Sequence, residues 1–414
     1  MRTKLMNTQK NPKIVLAFDK FKGSMTQAEA NAAAARGVRA VLPDAEICVL
    51  PCADGGEGTV DAFLSAFPGE KQTCSVTPPR RAPGTERIEA VYGVLSPQSG
   101  QENAASSIRK FNDAQTGGKT CVMEMSSASG LALVPEGERD PLRTSTYGTG
   151  EMILHALDAG CTHFLIGIGG SATNDGGAGM AAALGVRFYD ADGTLLSCPT
   201  GGTLSQIARI DVSGLDTRVK RCTFTACCDV TNVLCGPNGA SAVYAPQKGA
   251  READIPVLDA GLSHLADLLE AETGRSLRDI PGAGAAGGLG MGMLAFLGGT
   301  LVPGIDAVLD ASCADALLSD ASLLLTGEGK IDGQTVCGKT VAGLLRRAET
   351  VSVPVCAFGG CVTDDAAALY DAGIAAVFPI ADRPMTLEES MRGAPRLLEK
   401  QVRAAVSLFT ESQS

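Results

Sequence analysis

The chain has 414 residues, enough for two or three domains, and 45% of them are hydrophobic with only 4% aromatic and no tryptophan, so its core must be aliphatic. A formal net charge of −11 argues against nucleic acid or an anionic membrane as a partner, and any anionic ligand must be met by locally concentrated cations, helix termini or metal ions. Fourteen scattered cysteines without a C-x-x-C pair, beside three histidines, give no zinc pattern and read as small apolar residues of a reducing, cytoplasmic compartment.

Residues 1–12 read as a basic, polar tail without the apolar segment of a signal peptide. Lys13 to Phe18 (K-I-V-L-A-F) predicts a strand that ends at Asp19, and Thr26 with Glu29 forms a capping box that opens an alanine-rich helix to about Leu42. Ile47 to Leu50 predicts a second strand, ending in P-C-A-D-G-G-E-G-T (Pro51 to Thr59), which opens another helix. Two strand, acidic-loop, helix units in succession predict a parallel sheet with sites at the C-terminal ends of its strands. From about Phe67 the pattern changes: two strands within 72–95, a polar loop over 96–119, then a strand from Cys121 to Met125. T-S-T-Y-G-T-G (Thr144 to Gly150) opens a helix to Ala159. His163 to Ile166 is a strand that runs into G-I-G-G-S-A-T-N-D-G-G-A-G, Gly167 to Gly179, where six of thirteen residues are glycine, and Ala178 to Leu184 restarts as helix. A strand that ends in glycines and restarts as a helix presents backbone N–H groups to an anion. Thr223 to Cys228 is a further strand and 254–274 an amphipathic helix. Leu289 to Leu309, the most apolar long stretch, is broken by glycines and Asp306, so no membrane span is expected. Leu323 to Leu325, Val353 to Phe358 and Ala375 to Ile380 return to the strand–helix rhythm of the N-terminus. That return predicts an α/β protein of two domains: a discontinuous Rossmann-like, doubly wound parallel sheet from 1–66 and 290–414, with a second α/β domain, 67–289, inserted.

Several loops carry chemistry. Asp54 and Glu57 flank two glycines at a strand end, where carboxylates hold Mg²⁺ or take a hydroxyl proton. Asp19 and Lys22 flank Phe21 on a second such loop, and a lysine beside a helix N-terminus suits phosphate or carboxylate. Glu328, Lys330 and Asp332 read as a third acidic loop after a strand. Gly282 to Gly290 contains a literal G-x-G-x-x-G, but the preceding S-L-R-D-I-P is polar and proline-ended, so the dinucleotide fingerprint fails its context and a phosphate-binding glycine loop is the better reading. Gly333 to Thr340 matches Walker A literally, yet T-G-E-G-K-I-D separates it from its strand, which leaves an anion contact from Lys339 rather than a true P-loop. Ser171 lacks a G-x-S-x-G context, and His155, His163 and His264 all lie outside the glycine loops, so an acyl-transfer triad is not expected and the histidines read as structural. Glycine loops, isolated carboxylates, lysines and no histidine base fit phosphoryl transfer, which needs positioning, cations and one carboxylate to take the hydroxyl proton.

Taken together and in order, A-F-D-K-F-K-G-S, P-C-A-D-G-G-E-G-T, T-S-T-Y-G-T-G-E, G-I-G-G-S-A-T-N-D-G-G-A-G-M, C-D-V-T-N-V-L-C-G-P-N-G-A-S, A-P-Q-K-G-A, G-A-G-A-A-G-G-L-G and L-T-G-E-G-K-I-D-G-Q-T-V-C-G-K resemble the bacterial type I glycerate kinase family from Lys13 to Leu398. Lys20 and Val233 depart from that family's pattern, which carries Ser and Pro there. The resemblance implies ATP- and Mg²⁺-dependent phosphorylation of D-glycerate, usually to 2-phosphoglycerate, with the site in a cleft between two α/β domains. Kinase activity on a related small hydroxy acid and a non-catalytic glycerate sensor are the alternatives, and monomer and homodimer are both open. On this reading Gly282, Gly284, Gly287 and Gly288, with Gly169, Gly170 and Ser171, line the ATP phosphates. Asp54, Asp175 and Glu328 are the expected metal carboxylates, Lys22 or Lys339 meets the substrate carboxylate, and Ser171 and Asn174 contact the substrate. Asp175, rather than Asp19, is expected to take the proton.

Overall fold

The computed structural model describes residues 11–53, 55–80, 86–96, 118–335 and 339–411. In chain order its strands are β1 (Lys13–Phe18), β2 (Glu46–Val49), β3 (Gly69–Val76), β4 (Ile88–Leu95), β5 (Lys119–Glu124), β6 (Cys161–Gly167), β7 (Arg187–Tyr189), β8 (Arg209–Asp211), β9 (Thr223–Cys227), β10 (Thr300–Val302), β11 (Leu323–Ile331), β12 (Val355–Val362) and β13 (Ala376–Pro379). The described residues divide into two compact units, 11–53 with 308–411 and 55–96 with 118–307. The divisions therefore fall at 53/54 and 307/308, where sequence reading put them at 66/67 and 289/290. The physical reason lies in two helices. Thr59–Ala66 has its N-terminal N–H groups bonded to Glu124 on β5, and Ala285–Phe296 is packed on the backbone of Gly176 and Gly177. Both belong to the second unit.

In the first unit a five-stranded sheet runs β13-β12-β11-β1-β2 with every pair parallel. β1 is buried along its whole length, as expected of a central strand covered on both faces. The helix Gln27–Arg39 starts at the capping box of Thr26 and Glu29 that the sequence predicts. Its small residues Ala30, Ala33, Ala34 and Gly37 allow the C-terminal helix Leu387–Glu411 to approach closely: a Cβ on Gly37 would lie 2.6 Å from the Glu399 carbonyl oxygen. The chain leaves β1 for β2 on one side and leaves β11 for β12 and β13 on the other. Strand order thus reverses between β1 and β11, which is where open α/β sheets bind their ligands. β11 is longer than L-L-L suggests. It continues through T-G-E-G-K-I to Ile331, paired with β12 as far as Val362, so Glu328 and Lys330 stand on a strand and not on the predicted loop. Glycines make this pairing close, since a Cβ on Gly360 would lie 2.6 Å from the Gly329 oxygen.

In the second unit a six-stranded sheet runs β10-β9-β6-β5-β4-β3. β10, β9, β6 and β5 are parallel, and the β3–β4 hairpin adds an antiparallel edge. Tyr92, Phe164, Phe224 and Ile166 centre its core, with the Phe164 and Phe224 rings stacked at 4.7 Å. β7 and β8 form a separate two-stranded ribbon. Among the described residues no helix is long and apolar enough to cross a membrane.

Candidate active site

The glycine-rich stretch after β6 does form a turn into a helix, Ala178–Ala183. Gly176 and Gly177 take φ of +61° and +75°, values that favour glycine. The anion held there is the protein's own. Asp175 is fully buried, and its Oδ2 accepts from Thr146 N at 2.7 Å, Thr146 Oγ1 at 2.9 Å, Gly179 N at 3.2 Å and Ser145 Oγ at 3.4 Å, while Oδ1 accepts from Gly177 N at 3.2 Å. Burial pushes this carboxyl up from its ordinary value, against the hydrogen bonds of Thr146, Gly177 and Gly179, which pull it down. With both oxygens committed to five donors inside the fold, Asp175 is built to hold the loop. This geometry does not favour the expected roles of proton acceptor and metal ligand. T-S-T-Y-G-T-G has its explanation here, as the segment that supplies the Ser145 and Thr146 donors.

Sequence reasoning missed Lys248. It lies in the short turn Pro246–Lys248 and is fully buried, and its Nζ donates to Ser171 Oγ and to the Thr173 carbonyl oxygen, both at 2.7 Å. Burial lowers its pKa to about 7, with the nearby Asp175 charge opposing. The only sequence signal was the A-P-Q-K-G-A motif, whose lysine looks like any surface lysine. Asn174 is also fully buried, donates from Nδ2 to Ser241 Oγ at 3.1 Å, and has no partner for Oδ1 among the described residues.

The glycines sort into two kinds. Gly282, Gly284, Gly287 and Gly288 are buried against protein: a Cβ on Gly287 would lie 2.0 Å from the Thr173 oxygen, one on Gly284 2.2 Å from the Val233 oxygen, and one on Gly288 2.9 Å from Leu262. Their small size serves close packing, with positive φ at Gly287 and Gly288 kinking the helix, so the expected phosphate contacts from this stretch do not fit. Gly169 and Gly170 are exposed, and the nearest atoms to a Cβ built on them lie at 3.7 Å and 3.4 Å. Gly169 faces Gly56 of the D-G-G-E-G loop. This open glycine backbone leaves room for a ligand to approach closely. The helix that follows D-G-G-E-G has its own internal anion, because Glu124 Oε1 accepts from Gly58 N at 3.1 Å and Val60 N at 3.0 Å. Asp54 lies outside the described residues.

In the first unit, Phe18 on β1 pairs with Gly327 on β11, so the next residues, Asp19 and Glu328, emerge together at the sheet's switch point. The Asp19 N–H donates to Gly327 O at 2.9 Å, and its Oδ1 accepts from Lys20 N at 2.7 Å. Burial, reinforced by the charges of Asp19 and Asp332 and opposed by the Thr335 hydroxyl, pushes Glu328 up to about 7. Cys52 is buried close enough to both carboxylates to feel their charge. Its thiol is raised well above the ordinary value by burial first and then by Asp19 and Glu328, so it stays a neutral thiol. Gln27 fastens the Cys52 carbonyl oxygen from the helix side. Lys22 is exposed on the loop after β1, Lys330 pairs with Asp332 at 2.8 Å, and the Lys339 side chain lies outside the described ones. Among the described residues no group of three or more His, Cys, Asp or Glu side chains gathers as a metal cage. The histidines are structural, as read: His155 Nδ1 bonds Tyr92 Oη at 2.7 Å, His163 Nδ1 bonds Thr223 Oγ1 at 2.9 Å, and His264 Nε2 donates to the Ile207 oxygen at 2.6 Å.

Comparison with known proteins adds an independent line. The model of the glycerate kinase family matches residues 14–410. The chain is 44% identical to the glycerate kinase of Halalkalibacterium halodurans over 96% of its length and 99% of the relative's. It is 44% identical to the glycerate 2-kinase of Escherichia coli, covering 92% of this chain and 94% of that one. A crystal structure of a Salmonella typhimurium LT2 protein assigned as glycerate kinase 2 superposes with a TM-score of 0.83 at 41% identity, over 97% of this chain and 99% of the other.

Proposed function

The chain belongs to the glycerate kinase family, and on that premise we propose that it transfers the γ-phosphoryl group of ATP to the 2-hydroxyl of D-glycerate, giving 2-phosphoglycerate and ADP. The observation that carries the substrate and the position is the E. coli relative, named glycerate 2-kinase, at 44% identity over 92% of this chain. The attacking hydroxyl oxygen forms the new bond to phosphorus as the bond to the ADP oxygen breaks, and the hydroxyl proton must pass to a base.

Glu328 is the proposed base. A carboxyl held at about 7 by burial and by Asp19 is partly ionised at neutral pH, and it is basic enough to accept a proton in the transition state. The charge of Asp19 helps maintain that basicity. The exposed backbone of Gly169 and Gly170 receives the phosphates, because glycine there leaves room for close approach. Lys22 and Lys339 remain the proposed cations for the glycerate carboxylate. A magnesium ion, when bound with the nucleotide, would supply charge neutralisation at the transferring group. Asp54, on the D-G-G-E-G loop, is the residue proposed to hold that ion. Asp175 acts by holding the 171–179 loop in register. The described cysteines are free thiols, which supports a cytoplasmic setting.

The test is a coupled ADP-release assay with purified protein, ATP, Mg²⁺ and D-glycerate, followed by ³¹P NMR of the product. ADP release that depends on D-glycerate and gives 2-phosphoglycerate is the expected result. ADP release with another hydroxy acid but not with D-glycerate would overturn the substrate, and 3-phosphoglycerate would overturn the position.

A further inference from the structure

Lys248 is a fully buried ammonium group whose direct partners are both neutral, the Ser171 hydroxyl and the Thr173 carbonyl oxygen. Those partners stand two residues apart on one loop, and Ser171 directly follows the exposed Gly169–Gly170 turn. Among the described residues, few charges face it. Asp175 stands across the same loop. The helix Ala240–Tyr244, packed against the 246–248 turn, carries none. On the adjoining segments, the backbone of Arg139 lies against Gly249, and Arg251 pairs with Asp254 at 2.8 Å with Asp140 nearby. Two hydrogen bonds are within the capacity of a neutral amine, so hydrogen bonding alone does not call for the charge. An anion bound at the exposed turn would.

We infer that Lys248 is a positioning residue for nucleotide binding: it ties Ser171 to Thr173, thereby sets the Gly169–Gly170 turn, and supplies from beneath it a buried positive charge that favours the phosphate anion. The inference rests on the reading of that turn as the phosphate cradle. Its sign with pH follows from burial. An ammonium whose pKa is lowered to about 7 is charged below that pH and neutral above it, so its support for an anion weakens as pH rises through neutrality. A bound phosphate raises the ammonium's pKa in turn, and binding therefore takes up a proton.

The test is calorimetric titration of the intact protein with ATP from pH 6 to 9, in buffers of different ionisation enthalpy, for wild type, Lys248→Met and Ser171→Ala. Methionine preserves the buried stem without the charge, and Ser171→Ala removes one hydroxyl and keeps the fold should Lys248→Met fail to fold. The expected results are at least tenfold weaker ATP binding in Lys248→Met near pH 6.5, a gap that closes toward pH 9, and loss of the proton uptake. Ser171→Ala should bind at least threefold more weakly with unchanged melting temperature. Wild-type affinity and proton uptake in Lys248→Met, or wild-type binding in Ser171→Ala, would overturn the inference. Wild-type protein that shows this linkage yet leaves D-glycerate unphosphorylated would sink the kinase reading alone and still support the positioning role.

Discussion

Replacing Asp175 with Asn separates a loop-holding carboxylate from a proton acceptor. Four donors converge on Oδ2 and one on Oδ1, so the amide nitrogen is best placed where Oδ1 stood. Gly177 N–H then faces a donor, and an unsatisfied buried N–H costs about 1–3 kcal/mol. The bonds to Oδ2 change from charge-assisted to neutral, each weaker by roughly 1 kcal/mol, while relief from burying a charge offsets part of that loss. The net destabilisation is about 2–4 kcal/mol, which lowers the melting temperature of a unit this size by on the order of 5–15 °C. Thermal unfolding followed by circular dichroism, read beside kcat and KM for ATP, measures both consequences. A loop-holding Asp175 predicts that stability falls together with ATP affinity. A variant that melts like wild type while kcat drops a hundredfold or more would refute this reasoning and return the proton to Asp175.

Glu328→Gln should lower kcat by roughly 10²–10⁴ with little change in KM for ATP, and an unchanged kcat would remove Glu328 from the base role. Because Glu328 must be ionised to act, wild-type kcat should rise with pH through about 7. Asp19→Asn removes a like charge and should move that limb to lower pH; a limb that stays put would show that Asp19 does not set it. Gly170→Ala meets no atom closer than 3.4 Å, so it should raise KM for ATP severalfold at the modest strain of a residue with φ of +71°. Gly287→Ala places a Cβ 2.0 Å from the Thr173 oxygen and should instead lower stability by about 2–4 kcal/mol, read by denaturant unfolding. Glu124→Ala leaves the Gly58 and Val60 N–H groups without their carboxylate and should cost about 1–3 kcal/mol in the same measurement.

Chemistry confined to a few neighbouring residues was legible in the chain. The Thr26–Glu29 capping box, the apolar run of β1, the helix Ile255–Thr273 and the turn between Gly167 and Ala178 each follow from local spacing and propensity, and all form as read. The motif order was equally legible, and with it the family. Tertiary structure decided everything that depends on partners distant along the chain. A carboxylate beside glycines reads the same whether its donors lie 29 residues away, as Thr146 does from Asp175, or come from a ligand. A glycine-rich run reads the same whether its open side meets solvent, as at Gly169 and Gly170, or another backbone, as at Gly287. Strand pairing carried β11 through two glycines to Ile331 and set Glu328 beside Asp19, although those residues are 309 positions apart. Lys248 looked like a surface lysine because nothing near it in sequence announces burial. Its protonation, like that of Glu328, follows from desolvation and neighbouring charge, which exist only once the chain has folded.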